Sequence, residues 1–188
     1  MENANATTPD PATAAAPLRP SARFMLRHPA HLIAFGFGSG LSPVAPGTIG
    51  TLWAWLSFLV LQRWLDDRGW LLLLAIGLFV GWWACTATAR HLRIADPGAI
   101  VWDEIIAFWL VLWLVAGHGV WAQVVAFALF RFFDAVKPGP VGWADRLFKR
   151  RGAEGAIGWS QGFGIIFDDL VAAGCTLLVM ALWWRLFP

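Results

Sequence analysis

Two pairs of adjacent acids stand inside otherwise apolar sequence: Asp103–Glu104 in AIVWDEIIAFWLVLWLVA (residues 99–116) and Asp168–Asp169 in FGIIFDDLVAAG (163–174). An ionised carboxylate in apolar surroundings is costly. It persists only when paired, bound to a metal or facing water. Like-charge repulsion between the neighbours adds to that cost. Adjacent side chains on a helix point about 100° apart, so each pair can line a cavity without its members touching. Hard oxygen ligands from two helices are a donor set that Mg²⁺ takes, usually keeping waters and bridging to a phosphate. A third group, Arg131, Asp134 and Lys137 in FRFFDAVK, recurs every three residues and shares one slowly drifting helical stripe. Its cations can neutralise the acids or clamp an anion. Salt bridging at helix ends and a proton or cation pathway use the same residue types, and both stand beside the metal reading.

A fourth stretch, GFGSGLSPVAPGTIGTLW (36–53), packs five glycines and two prolines just before an apolar run. It is not the dinucleotide fingerprint, because the third glycine comes one residue early and no strand precedes it. Nor is it a Walker A loop, since no Gly-Lys-Ser/Thr follows. Glycines permit nests of successive N–H groups that bind anions, and a helix N-terminus favours phosphate. Gly38, Ser39, Ser42, Gly47 and Thr48 are therefore candidate phosphate contacts, with Arg131 and Lys137. A tight helix-packing turn is the competing reading.

The elements that must position these groups are membrane helices. Of 188 residues, 59% are apolar and 14% charged. Soluble domains sit near 45–50% and about 25%. Fourteen Trp and no Tyr agree with a bilayer setting, where indole rings favour the headgroup interface. A net charge of +2 gives no nucleic-acid footprint. Cys85 and Cys175 lie in apolar runs and read as small buried residues, not a disulfide framework. The histidines give no metal-ligand pattern: His28 and His31 read as interfacial, His91 lies beside Arg90 and Arg93, and His118 falls in a turn.

The expected fold is an all-α, polytopic helical bundle with four to five spans and the Gly-rich loop before the first. Residues 1–27, rich in Ala, Pro and Thr at their start, read as a disordered tail, and 28–188 as one membrane-embedded domain. Spans are expected near 49–65, 70–89, 99–116, 119–136 and 163–187. The flank with Arg19, Arg23 and Arg27, the 90–98 loop and the 137–155 loop carry the excess of Lys and Arg, so positive-inside counting places them in the cytoplasm. All three charged clusters and the glycine segment then fall at one depth, near the cytoplasmic face.

Four stretches in this order carry a family resemblance: GFGSGLSPVAPGTIGTL (36–52), IVWDE (100–104), FRFFDAVKPGPVGWADR (130–146) and GFGIIFDDLVAAG (162–174). Together they resemble the phosphatidylglycerophosphatase A family of bacterial membrane lipid phosphatases. Ala107 and Ala173 stand where the family's glycine after each acidic pair is expected. The resemblance implies Mg²⁺-dependent hydrolysis of phosphatidylglycerophosphate to phosphatidylglycerol and phosphate, at the cytoplasmic face of the inner membrane. It places the acidic motifs on Asp103, Glu104, Asp134, Asp168 and Asp169. The expected assignment is Asp103, Glu104, Asp168 and Asp169 for the metal, with Asp134, Asp169 and Asp103 catalytic. Another Mg²⁺-dependent lipid-headgroup phosphotransferase and a cation transporter are the alternatives.

Overall fold

The computed structural model describes residues 17–149 and 157–187. Residues 1–16 of the expected tail, and Arg150, Arg151 and Glu154 of the charged loop, lie outside the described residues. Every regular element among the described residues is helical: α1 (Ala22–Met25), α2 (Pro29–Ala34), a 3-10 segment (Gly36–Leu41), α3 (Pro46–Leu61), α4 (Asp67–Leu92), α5 (Trp102–Val115), a 3-10 turn (Ala116–His118), α6 (Gly119–Val136), α7 (Pro140–Lys149) and α8 (Trp159–Leu186). The all-α membrane fold holds, and the span count of four to five is met only approximately.

Among the described residues, three segments are long and apolar enough to cross a bilayer: Asp67–Leu92, Trp102–Val136 and Trp159–Leu186. The middle one is a hairpin. Arg131 Nη1 lies 3.9 Å from Glu104 Oε1, whereas a straight helix would separate residues so far apart in sequence by about 40 Å. The reversal is made at Ala116–His118, where Gly119 follows with φ +85° and His118 stacks on Trp184 of α8. α3 is a 16-residue apolar helix, about 24 Å long and shorter than the bilayer core of about 30 Å.

α5 is the hub. Its sequence WDEIIAFWLVLWLV is apolar on every face after the first turn, and eleven of its fourteen residues are buried. A helix hydrophobic all round belongs inside a bundle. Indole N–H groups tie the hub to its neighbours: Trp102 Nε1 donates to Gly77 O at 2.9 Å and Trp109 Nε1 to Ala54 O at 2.9 Å. Small residues allow that approach, since a Cβ on Gly77 would lie 2.7 Å from Ile106 Cδ1. Cys85 is buried and Cys175 half-buried, both as free thiols.

The end of the bundle that carries the acids is closed by α1 and α2, within the stretch read as tail or interfacial piece. Ser21 caps α1 by accepting from Phe24 N, and the buried Phe24 ring stacks on His31 at 4.1 Å. Three histidines gather there, a clustering that sequence spacing does not reveal. His31 Nδ1 donates to Phe24 O at 2.9 Å, which leaves Nε2 to accept from His91 Nδ1 at 2.8 Å. The His28 ring lies 5.4 Å from His31 and 5.6 Å from His91. Burial holds the His31 imidazole below its ordinary 6.5; the hydrogen bond to Phe24 opposes this, and His91 and His28 reinforce it. The folded state therefore binds fewer protons at His31 than the unfolded chain, so this contribution is present above pH 6.5 and is lost as pH falls through and below that value. The thermal midpoint in detergent is expected to drop between pH 7 and pH 5, with a shallower slope in His31→Gln; equal slopes would remove this clasp from the account.

Candidate functional site

Side chains from α5, α6, α7 and α8 line one pocket. Asp103 and Glu104 occupy the first turn of α5, where the helix dipole favours negative charge. Asp134 lies in the last turn of α6, and Lys137 caps that helix in a left-handed conformation, φ +49°. Asp168 and Asp169 stand further inside α8, both buried. Glu104, Asp103, Asp134, Asp168, Asp169 and Lys137 all line a cavity of about 400 Å³. The convergence expected from topology is thus present in three dimensions.

Within the cluster the acids divide into two sets. Asp103, Glu104 and Asp169 each present a carboxylate oxygen within 4.8 Å of the others. Asp103 Oδ1, Glu104 Oε2 and Asp169 Oδ2 are buried and have no hydrogen-bond partner among the described residues. Unpartnered buried carboxylate oxygens are rare in folded proteins and call for a cation or ordered water. A hard divalent ion fits this all-oxygen donor set. Asp168 belongs to the second set: it accepts from Lys137 Nζ, which also donates to Asp145 Oδ1 at 2.7 Å. Burial alone would lower the Lys137 ammonium, but the hydrogen bonds and charges of Asp145 and Asp168 outweigh it and hold its pKa well above the ordinary lysine value.

Arg131 bridges the acids and α3. Its Nη1 donates to Asp134 Oδ2 at 2.5 Å and to Thr51 Oγ1 at 3.3 Å, and lies 3.9 Å from Glu104 Oε1. Thr51 in turn donates to Gly47 O at 2.8 Å, fixing the first turn of α3 against the guanidinium. A Cβ on Gly47 would crowd Glu104 Oε1 and lie 3.3 Å from both terminal nitrogens of Arg131. Pro46 begins α3 where no N–H partner is needed, and Gly47 and Thr48 follow in the same turn.

The rest of the glycine segment points elsewhere. Ser39 donates to Gly36 O and Ser42 to Val44 O, so both hydroxyls serve local turns. Gly38, with φ +108°, faces Met25, and Ser39 lines a separate apolar groove with Phe37, Leu52 and Trp53. The structure therefore brings Gly47 to the acids together with Arg131 and Lys137, and leaves Gly38, Ser39 and Ser42 apart from that pocket. Sequence reasoning did not single out Asp96, Asp145 and Gln161 of the lining. The signal for Asp145 was its place in KPGPVGWADR, eight residues after Lys137.

A family model described as Phosphatidylglycerophosphatase A matches residues 32–184. The phosphatidylglycerophosphatase A of Escherichia coli (strain K12) is 39% identical over 151 residues, covering 80% of this chain and 80% of its own. That of Haemophilus influenzae (strain Rd) is 35% identical over 161 residues, covering 86% of this chain and 92% of its own. No solved structure matches the chain.

Proposed function

The chain belongs to the phosphatidylglycerophosphatase A family, and from that premise we propose that it is a divalent-metal-dependent lipid phosphatase acting on phosphatidylglycerophosphate. The observation that carries the metal part is the trio of buried oxygens on Asp103, Glu104 and Asp169, each without a hydrogen-bond partner among the described residues. Mg²⁺ is the ion its hard oxygens suit, with the relatives' named substrate supplying the phosphate. The cytoplasmic leaflet of the bacterial inner membrane is the side that positive-inside counting favours for the pocket.

In the reaction, water adds to the terminal phosphorus, the phosphorus–oxygen bond to glycerol breaks, and the departing oxygen takes a proton. Products are the glycerol hydroxyl and inorganic phosphate. Asp103, Glu104 and Asp169 would hold a divalent ion, which would supply Lewis acidity toward the phosphoryl group. Arg131 presents a planar fork to the other oxygens, anchored from behind by Thr51 and Asp134. The first turn of α3, with Gly47 and Thr48, adds backbone N–H groups at a positive helix end. The absence of a side chain on Gly47 leaves Glu104 and Arg131 open to the ligand. Asp134, which accepts from the Arg131 guanidinium, orients the attacking water and takes up its proton.

A transporter needs polar groups through the depth of the bilayer; here Asp103, Glu104, Asp134, Asp168 and Asp169 share one pocket. The test is phosphate release from phosphatidylglycerophosphate in mixed micelles by the purified chain. Release is expected with Mg²⁺ and is expected to vanish on chelation and return on adding Mg²⁺ back. Full release in excess chelator would remove the metal from the proposal. No release under any condition, with cation flux in liposomes, would replace the phosphatase reading.

A further inference from the structure

α7 forms a wall of the pocket, and its placement is specified by packing. Lys137 ends α6 in the left-handed region and Gly139 follows with φ +51°, turning the chain back over the site. A Cβ on Gly142 would sit 2.5 Å from Lys137 O, so the first turn of α7 is built directly against the cap of α6. Val141 and Ala144 are fully buried, while Trp143 on the other face is 58% exposed. Phe148 lies 5.5 Å from both Phe163 and Phe167 of α8, and it packs where Gly164 has no side chain. Asp145 stands between these contacts, one helical turn from Gly142 and one from Phe148, and its carboxylate meets Lys137 Nζ at 2.7 Å.

The geometry assigns Asp145 to be a positioning residue for Lys137 in the phosphatase reaction, an inference that rests on the phosphatase reading. An ammonium has three N–H donors. Asp145 and Asp168 take two, one from α7 and one from α8. The third N–H is left for a phosphate oxygen, with the flexible lysine stem held from both sides. Without Asp145, Nζ is drawn onto Asp168 alone and swings out of reach of the ligand. Asp145 acts through Lys137 and does not touch the substrate.

Asp145→Leu in the full chain is expected to lower kcat/KM for phosphatidylglycerophosphate about tenfold, the scale of losing a preset orientation at one group. Asp145→Asn, whose amide oxygen still accepts from Nζ, is expected to stay within about threefold of the unaltered protein. The deciding measurement is a double-mutant cycle with Lys137→Met. In that background Asp145→Leu is expected to cause no further loss, because the group it positions is gone. Equal losses in both backgrounds would make Asp145 a merely structural residue, and an unchanged kcat/KM in Asp145→Leu would also overturn the assignment. Release that is absent even from the unaltered protein would instead strike at the phosphatase reading, and with it this role.

Discussion

Asp169→Asn is expected to reduce phosphate release by about three orders of magnitude while raising the melting midpoint of the metal-free protein. The loss follows from position. Asp169 is 3% exposed, sits more than two turns inside α8, and aims an unpartnered oxygen at the carboxylates of Asp103 and Glu104. An amide keeps the volume but weakens the site as a ligand for a divalent ion, and effects of about 10³ are ordinary for a group acting on the transition state's charge. The gain in stability has the opposite origin. Three buried carboxylates crowd one another, and one oxygen of each lacks a hydrogen-bond partner among the described residues, so neutralising one relieves the metal-free fold. Function and stability moving in opposite directions mark a site held together for its ligand. Phosphate release with added Mg²⁺ and thermal unfolding in chelator measure the two. A variant that loses both would make Asp169 structural, and undiminished release would remove it from the site.

The charged clusters were legible in sequence because bilayer physics leaves acids few reasons to exist there. Asp103, Glu104, Asp134, Asp168 and Asp169 stood out by cost alone, and loop charges brought them to one depth. What sequence did not resolve was pairing within the cluster. Asp168 and Asp169 are chemically equal neighbours, yet the 100° between them on α8 turns one to Lys137 and the other to α5. Only the relative rotation of the packed helices decides which is which. The glycine segment shows the same limit. Gly47 is separated from Ser42 by a bend at Ala45, φ +45°, so Ser42 bonds Val44 O while Gly47 lies against Glu104 and Arg131. Charge patterning likewise set α7 down as a loop, because Asp145, Arg146 and Lys149 dominate it. Among its described residues Val141 and Ala144 are buried and the apolar Leu147 and Phe148 half-buried, too short a stripe to outweigh those charges. The hairpin at Ala116–His118 was readable from Gly117 and Gly119 between two apolar runs, and it is what returns Arg131 and Asp134 to the level of Glu104.

Arg131→Met is expected to cut phosphate release by about 10²- to 10³-fold and, unlike Asp169→Asn, to lower the melting midpoint. The guanidinium, with its side chain 19% exposed, is the cation that faces both Glu104 and Asp134. Deleting it leaves two acids without their cation, a loss of about 1–3 kcal/mol at a site with this much solvent contact. It also removes the donor fork aimed at the phosphate, whose contribution is to the transition state. Arg131→Lys separates charge from geometry: a point charge restores part of the stability, but it does not reproduce a planar fork spanning Thr51, Asp134 and a phosphate oxygen. Turnover in that variant is expected to remain at least tenfold below the unaltered protein. The double variant Arg131→Met/Asp134→Leu completes the argument. Removing Asp134 as well takes away one of the two acids left without a cation, so the melting midpoint recovers part of the way toward the unaltered value. Phosphate release does not recover, because the oxygens of the substrate still lack their donors and the attacking water lacks its carboxylate. Recovery of both quantities would show that Arg131 serves the fold alone, whereas recovery of stability without turnover places it in the chemistry.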